Sequence, residues 1–303
     1  MRTWRSWFVA PLPLLCVAAI AGCGSSSSSS SSSSSATSTS AASGTDATVA
    51  ALVPAAIKSK GTLTVASDAT YAPDEFIAPD GHTVIGMDAD LTKALGAVMG
   101  LKVEVKNVTF DSIIPGLAAG KYDVGASSFT DTKEREKTVD FVTYFTAGES
   151  FFTKASGGVT ISGLSDLCGH TVAVEKGTTE EADASAQSGK CTKAGKPSVK
   201  VLSFPDQNGA NLALSSGRAQ LGFADSPPAA YQVKKTGGQF KLVGPSIANA
   251  PYGLAVAKNG GLTKPILAAL GVLMKNGTYM SILTHWGIQA GAITKPAING
   301  ATS

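Results

Sequence analysis

The sequence predicts an α/β protein of two lobes with a cleft between them. Three observations predict it. Strand and helix signals alternate twice along the chain, once between residues 61 and 126 and again between 171 and 225. From Tyr252 onward the pattern reads as a return to the first set. About 245 residues remain once the low-complexity N-terminus is set aside, which suits two small α/β units.

The elements follow in order. Gly61-Thr62-Leu63-Thr64-Val65-Ala66-Ser67 reads as a strand; residues 90–99 have helical spacing, and Gly100 is placed to end that helix. Leu101 to Val105 alternates as a half-buried strand should. A helix is expected over 111–119 and a strand over 122–126. In the second set, 171–174, 199–202 and 219–224 read as strands, with helices at 179–187 and 208–216. A strand at 252–256 and helical signals from Thr263 to Trp286 complete the body. This β-α-β-α-β order implies parallel strands with a ligand crevice at their carboxyl ends. The expected division is 58–150 with 249–303 as lobe I and 151–248 as lobe II, joined by two crossings.

Composition excludes several classes. Lys+Arg is 25 and Asp+Glu 22, a net charge of +3 without the basic stripe of a nucleic-acid binder. His82, His170 and His285 lie far apart, and no spacing resembles a zinc site, so neither metal nor cofactor is expected. The long apolar run lies at the N-terminus, which excludes a multi-span membrane protein.

Residues 1–22 read as an export signal: Arg2 and Arg5, an apolar stretch from Trp7 to Ile20, then Ile20-Ala21-Gly22-Cys23. That ending resembles the bacterial lipoprotein processing signal, with Cys23 acylated. The alternative is an ordinary secretory signal with a chance cysteine. Eleven serines, Ser25 to Ser35, open a segment with little to bury, so residues 23–57 are expected to form a flexible tether. In an oxidising exterior, Cys168 and Cys191 read as a disulfide closing a 24-residue loop.

Several motifs carry a resemblance to a known family. Gly86-Met87-Asp88-Ala89-Asp90-Leu91 is similar to a G-[FIL]-D-x-[DE]-L signature. Asp68-Ala69-Thr70-Tyr71-Ala72-Pro73, then Phe110, then Ser127-Ser128-Phe129-Thr130-Asp131-Thr132-Lys133-Glu134-Arg135 follow in order. Gly177-Thr178-Thr179-Glu180 and the stretch from Gly217 to Asp225 complete the set. Together they resemble the family-3 extracellular solute-binding proteins, which feed polar amino acids to ATP-driven importers. The resemblance implies the type II periplasmic-binding-protein fold. It also implies a free amino acid as ligand and a membrane permease as partner. A monomer, held outside the cytoplasm by its lipid, is expected.

The chemistry of an α-amino acid explains these residue types. Its carboxylate suits the guanidinium of Arg135, with backbone N–H groups at Thr130, Thr178 and Thr179 adding anion contacts. Its ammonium suits Asp225 with the Ser128 hydroxyl, Ser127 lying beside it. Tyr71 and Phe110 would sandwich the side chain. Asp68, Glu180 and Asp74 would make its far end acidic, favouring a cationic or amide ligand. Asp88 and Asp90 are expected to act as helix caps. Gln220 stands where the family often has Asp, and Asp74-Glu75 replace a more usual aromatic. Two rival classes share the fold: a dehydratase acting on cyclic carboxylic acids, and a sensing subunit of a surface receptor.

Overall fold

The computed structural model describes residues 44–302. The expected export signal, Cys23 and the serine run lie outside the described residues. Eleven strands and nine α-helices occur in the described chain in this order. They are α1 (Ala47–Leu52), α2 (Ala55–Lys60), β1 (Thr62–Ser67), β2 (Thr70–Tyr71), β3 (Glu75–Ile77), β4 (Val84–Ile85), α3 (Met87–Met99) and β5 (Lys102–Asn107). Then come α4 (Phe110–Ala118), β6 (Val124–Gly125), β7 (Val139–Lys154), β8 (Thr171–Glu175), α5 (Thr179–Lys193), β9 (Lys200–Phe204), α6 (Gln207–Ser215) and β10 (Leu221–Asp225). Last are α7 (Ser226–Lys235), β11 (Phe240–Ala257), α8 (Thr263–Lys275) and α9 (Thr278–Trp286).

Eight strands form one sheet in the order β5-β1-β6-β11-β7-β10-β8-β9. The outer strands make two parallel triplets, β5-β1-β6 and β10-β8-β9. Between them run two long antiparallel strands, β7 of 16 residues and β11 of 18. In each triplet the first strand of the set sits in the middle, so the carboxyl ends of both triplets open toward a common crevice. The second sheet, β2-β3-β4, is a small antiparallel unit folded over the first triplet.

Separate apolar cores support the two triplets. Leu63 and Val65 of β1 pack with Leu91, Leu95 and Val98 of α3 and with Leu270 and Leu273 of α8. Val172, Val174, Leu221 and Phe223 pack with Phe151 and Ala184 on the other side. Phe151 and Phe223 stack at 4.0 Å, which ties β7 to β10 in the second core. The Cys168–Cys191 disulfide joins the segment before β8 to α5.

The ordered body begins before the expected end of the tether. Within residues 44–57, Asp46 caps α1 by accepting the N–H groups of Thr48 and Val49. Val49 and Val53 are buried in the first core. The stretch Val49 to Ile57 is apolar enough to offset its own ordering. The same applies at the far end. Beyond α9 the chain doubles back across β7, with bridges from Ala292 to Phe145 and from Ile298 to Val142. The N–H of Gly300 donates to Asp131 and that of Ala301 to Glu136.

The ladder between β7 and β11 is not regular. Its register shifts between Val243 and Ile247 and again between Ile247 and Ala250, opposite residues 147–151, and a third time between Tyr252 and Gly253. Ala248 there has φ +51°, and Gly244, Pro245, Ser246, Ala248 and Asn249 are exposed.

Among the described residues no single helix is long and apolar enough to cross a membrane. Replacing Cys168 and Cys191 together by serine is expected to lower unfolding free energy by about 3 kcal/mol, since the bridge removes loop entropy from the unfolded chain. Urea denaturation of the variant beside the parent checks this.

Candidate functional site

Each parallel triplet delivers polar residues to the crevice just past a strand end. Asp68 follows β1, Ser127 follows β6, and Glu175 and Asp225 are the last residues of β8 and β10. These line one narrow cavity together with Tyr71, Phe110, Ser128, Thr130, Arg135, Thr178, Thr179 and Glu180. Eleven of the twelve residues that the sequence places around the ligand lie around one space; the exception is Asp74. Glu175 is the lining residue that sequence reasoning missed. Its position at a strand end, ahead of Gly177-Thr178, was the available signal.

Arg135 lies in a short 3-10 turn and is half-buried, while Lys133, Glu134 and Lys137 around it are exposed. Its Nη1 donates to the Thr130 carbonyl at 2.7 Å and its Nη2 to the Gly177 carbonyl at 3.0 Å. The guanidinium carbon sits 5.3 Å from the Phe110 ring and 5.4 Å from Phe129. Phe110 and Phe129 stack on each other at 4.4 Å. Gly177 holds φ +83°, and a Cβ there would meet Asp111 Cβ at 3.2 Å, so the turn that presents its carbonyl needs glycine. Among the described residues no carboxylate forms an ion pair with Arg135, so the remaining guanidinium N–H groups can take an incoming anion.

The two serines are held from behind by buried carboxyls. Ser127 Oγ accepts the Asp68 N–H at 2.8 Å and donates to Glu75 Oε1 at 3.1 Å. Ser128 Oγ lies 3.0 Å from Asp74 Oδ2 and 3.2 Å from Glu75 Oε2, and its N–H donates to Asp88. Tyr144 O–H donates to the other Asp88 oxygen at 2.6 Å.

Three expectations are corrected here. Asp74 does not line the cavity; it is fully buried behind Ser128 because the β2–β3 turn points it inward. Asp88 is not a cap, since Gly86 occupies that position and the Asp88 carboxyl is spent on Ser128 and Tyr144. Gly86 is demanded sterically: with φ +127°, a Cβ would come within 2.3 Å of the Asp74 carbonyl oxygen. Asp90 is not a cap either; it accepts the Trp286 indole N–H at 3.0 Å. Gln220 lies away from the cavity and accepts the Thr171 N–H. Asp225 precedes α7 but makes no capping bond with its side chain.

Several contacts cross the crevice. Asp225 N–H points to the Tyr71 hydroxyl at 3.4 Å, Gln207 N–H to the Thr70 hydroxyl at 3.1 Å, and Lys176 pairs with Asp111 at 2.8 Å. The cavity wall is acidic, carrying Asp68, Glu175, Glu180 and Asp225 against one guanidinium. Burial pushes the carboxyls up. Asp225 and Glu180 rise, with neighbouring carboxyls adding to the effect at Asp225 and Arg135 opposing it at Glu180. Glu149, on β7 beside Asp225, is pushed to about 9 by burial and then by Glu180. Asp88 is pushed to about 6 by burial, against the pull of Tyr144. Among the described residues no group of His, Cys, Asp and Glu is arranged to hold a metal ion.

The sequence over residues 63–289 matches one family model. The chain belongs to the bacterial extracellular solute-binding proteins, family 3, and its fold is the two-lobed one of amino-acid-binding proteins. It is similar to the arginine-binding protein ArgT of Corynebacterium glutamicum, 35% identical over 252 residues, covering 83% of this chain and 82% of that one. Among solved structures it is similar to an ancestral arginine-binding protein bound to arginine, at 39% identity and a TM-score of 0.69, covering 75% of this chain and 98% of that one. It is also similar to AncCDT-1, an ancestral amino-acid-binding protein described as a precursor of cyclohexadienyl dehydratase, at 35% identity and a TM-score of 0.68, covering 76% and 97%.

The raised carboxyls have a consequence for stability. A carboxyl whose folded pKa lies above its unfolded value binds its proton more tightly in the folded state, so folding gains as pH falls toward the unfolded value. Asp74, Glu75, Asp88, Glu149, Glu175 and Asp225 all shift this way. The thermal midpoint of the ligand-free protein is expected to be higher at pH 5 than at pH 8, measured by scanning calorimetry at constant ionic strength.

Proposed function

We propose that this protein is the substrate-binding subunit of an ABC importer for an amino acid with a cationic side chain, of the arginine class. The observation that carries the reading is the cavity's charge pattern: one guanidinium without an ion pair, faced by four carboxyls. A zwitterion with an extra positive charge complements that pattern, whereas glutamate or aspartate would add a carboxylate to an acidic wall.

In this reading Arg135 takes the α-carboxylate, helped by backbone N–H groups at the start of α5. Asp225 and Glu180 take the α-ammonium. Tyr71 and Phe110 cover the aliphatic part of the side chain and exclude water, which strengthens the charge pairs. Residues 58–150 with 249–303, and 151–248, would act as the two lobes. A ligand bound to both favours the closed arrangement, which the permease reads. Family membership and the names of the similar proteins support binding over catalysis. The pattern Ile20-Ala21-Gly22-Cys23 supports a lipid on Cys23 that keeps the protein at the outer face of the membrane.

Calorimetric titration of the refolded protein with the L-amino acids tests this. Saturable binding of arginine is expected, and Arg135→Ala is expected to weaken it by about 2–5 kcal/mol, as for loss of one partner of a buried charge pair. Unchanged affinity in the folded variant would remove Arg135 from the site. Binding of glutamate in preference to arginine would overturn the cationic assignment.

A further inference from the structure

Asp68 and Glu175 both line the cavity and come from the two triplets, Asp68 just after β1 and Glu175 at the end of β8. Their surroundings differ. Asp68 has both oxygens engaged, one accepting the Phe110 N–H at 3.0 Å and the other the Thr70 hydroxyl at 2.7 Å. Glu175 is 1% exposed, and its Oε1 has no hydrogen-bond partner among the described residues. Neither forms an ion pair there, and the neighbouring Lys176 is turned outward onto Asp111. The other groups around Glu175 are Glu180 at the start of α5, Asp206 at the cap of α6 and the Tyr71 hydroxyl from β2. All are acids. Two buried carboxyls lining one cavity, with no cation paired to either, resist ionising together.

We propose that Asp68 and Glu175 form a paired-carboxyl receptor for the far end of the ligand side chain, keeping one shared proton against a neutral amide and releasing it to solvent when a guanidinium or ammonium enters. Charge balances in that exchange. The pair goes from one negative charge to two, the ligand brings one positive charge, and the proton leaves to the buffer. With the proton in place, Glu175 can donate to an amide carbonyl; without it, the two carboxylates can accept from two edges of a planar guanidinium. The direction at Glu175 agrees, since burial and then the charge of Asp68 push it up to about 10. The choice between arginine-like and glutamine-like ligands is therefore set by pH. This inference rests on the reading of the cavity as an amino-acid site.

The test compares L-arginine with L-glutamine on the same protein, from pH 5 to pH 8. Buried groups that serve the shared α-amino and α-carboxyl ends, such as Asp225, act on both ligands and cancel in the ratio of their affinities. That ratio is expected to move toward arginine by up to about tenfold per pH unit, the slope of one linked proton. Calorimetry in buffers of different ionisation enthalpy should count about one proton released per arginine and about none per glutamine. In the near-isosteric Glu175→Gln the arginine preference at pH 8 should fall by about tenfold or more, with its pH slope gone. Arginine binding with no proton released, or a pH-independent ratio in the parent, overturns the exchange and leaves the proposed function standing. Should glutamine bind too weakly to titrate, the proton count with arginine decides alone. Binding of neither ligand overturns the functional reading itself.

Discussion

Burying carboxyl groups without cations is costly, and this protein does it around and behind a single cavity. A desolvated carboxylate costs several kcal/mol unless it is paired or takes a proton. Asp74, Glu75 and Asp88 sit in a cluster with only serine and tyrosine hydroxyls and one backbone N–H for company. Around the cavity Glu175, Glu180 and Asp225 are in a similar position, with Arg135 as the one lining cation. Most of the local architecture follows from holding these groups in place. The two serines orient the buried cluster, Gly86 lets the β2–β3 turn press against it, and Phe110 and Phe129 fix the plane of the guanidinium.

The sheet explains how residues from positions 68 to 225 meet. In both triplets the first strand of each set is flanked by its two successors, so the loops that leave the carboxyl ends diverge and leave a crevice. Facing the triplets across β7 and β11 doubles this geometry. Residues that accept hydrogen bonds come from both sides, while Arg135 reaches across to the Gly177 carbonyl. A ligand in the cavity would touch both halves.

Much of this was legible in the sequence. The β-α-β-α-β order, Gly100 as the stop of α3 and the placement of Asp68, Tyr71, Phe110, Arg135 and Asp225 around one space follow from periodicity, from family motifs and from what a zwitterion needs. The misses have physical causes. Asp88 and Asp90 stand in the first turn of a helix, where carboxyls usually cap; only tertiary packing shows that Tyr144, 56 positions away, and Trp286, 196 away, claim them instead. Asp74 and Glu75 look like surface residues because local sequence carries no sign that a turn will fold inward. Strand β7 and the first part of β11, before the expected strand at 252–256, escaped; in β7 there is no strict alternation, since Phe141 to Phe145 and Glu149 to Thr153 are buried on both faces. Glu175 ends such a buried strand and could be read as its last residue.

The paired strands β7 and β11 also have a mechanical character. Two hydrogen-bonded ribbons side by side resist shear and stretching, because sliding one past the other would break every rung at once. They resist bending out of the plane far less. Register breaks between Val243 and Ala250, and again between Tyr252 and Gly253, mark where that softness lies. The regular rungs on either side act as stiff arms. Rotation of one triplet against the other would bend the ribbon at these breaks. Few degrees of freedom are left to freeze when the crevice shuts, so little entropy opposes closure around a small solute.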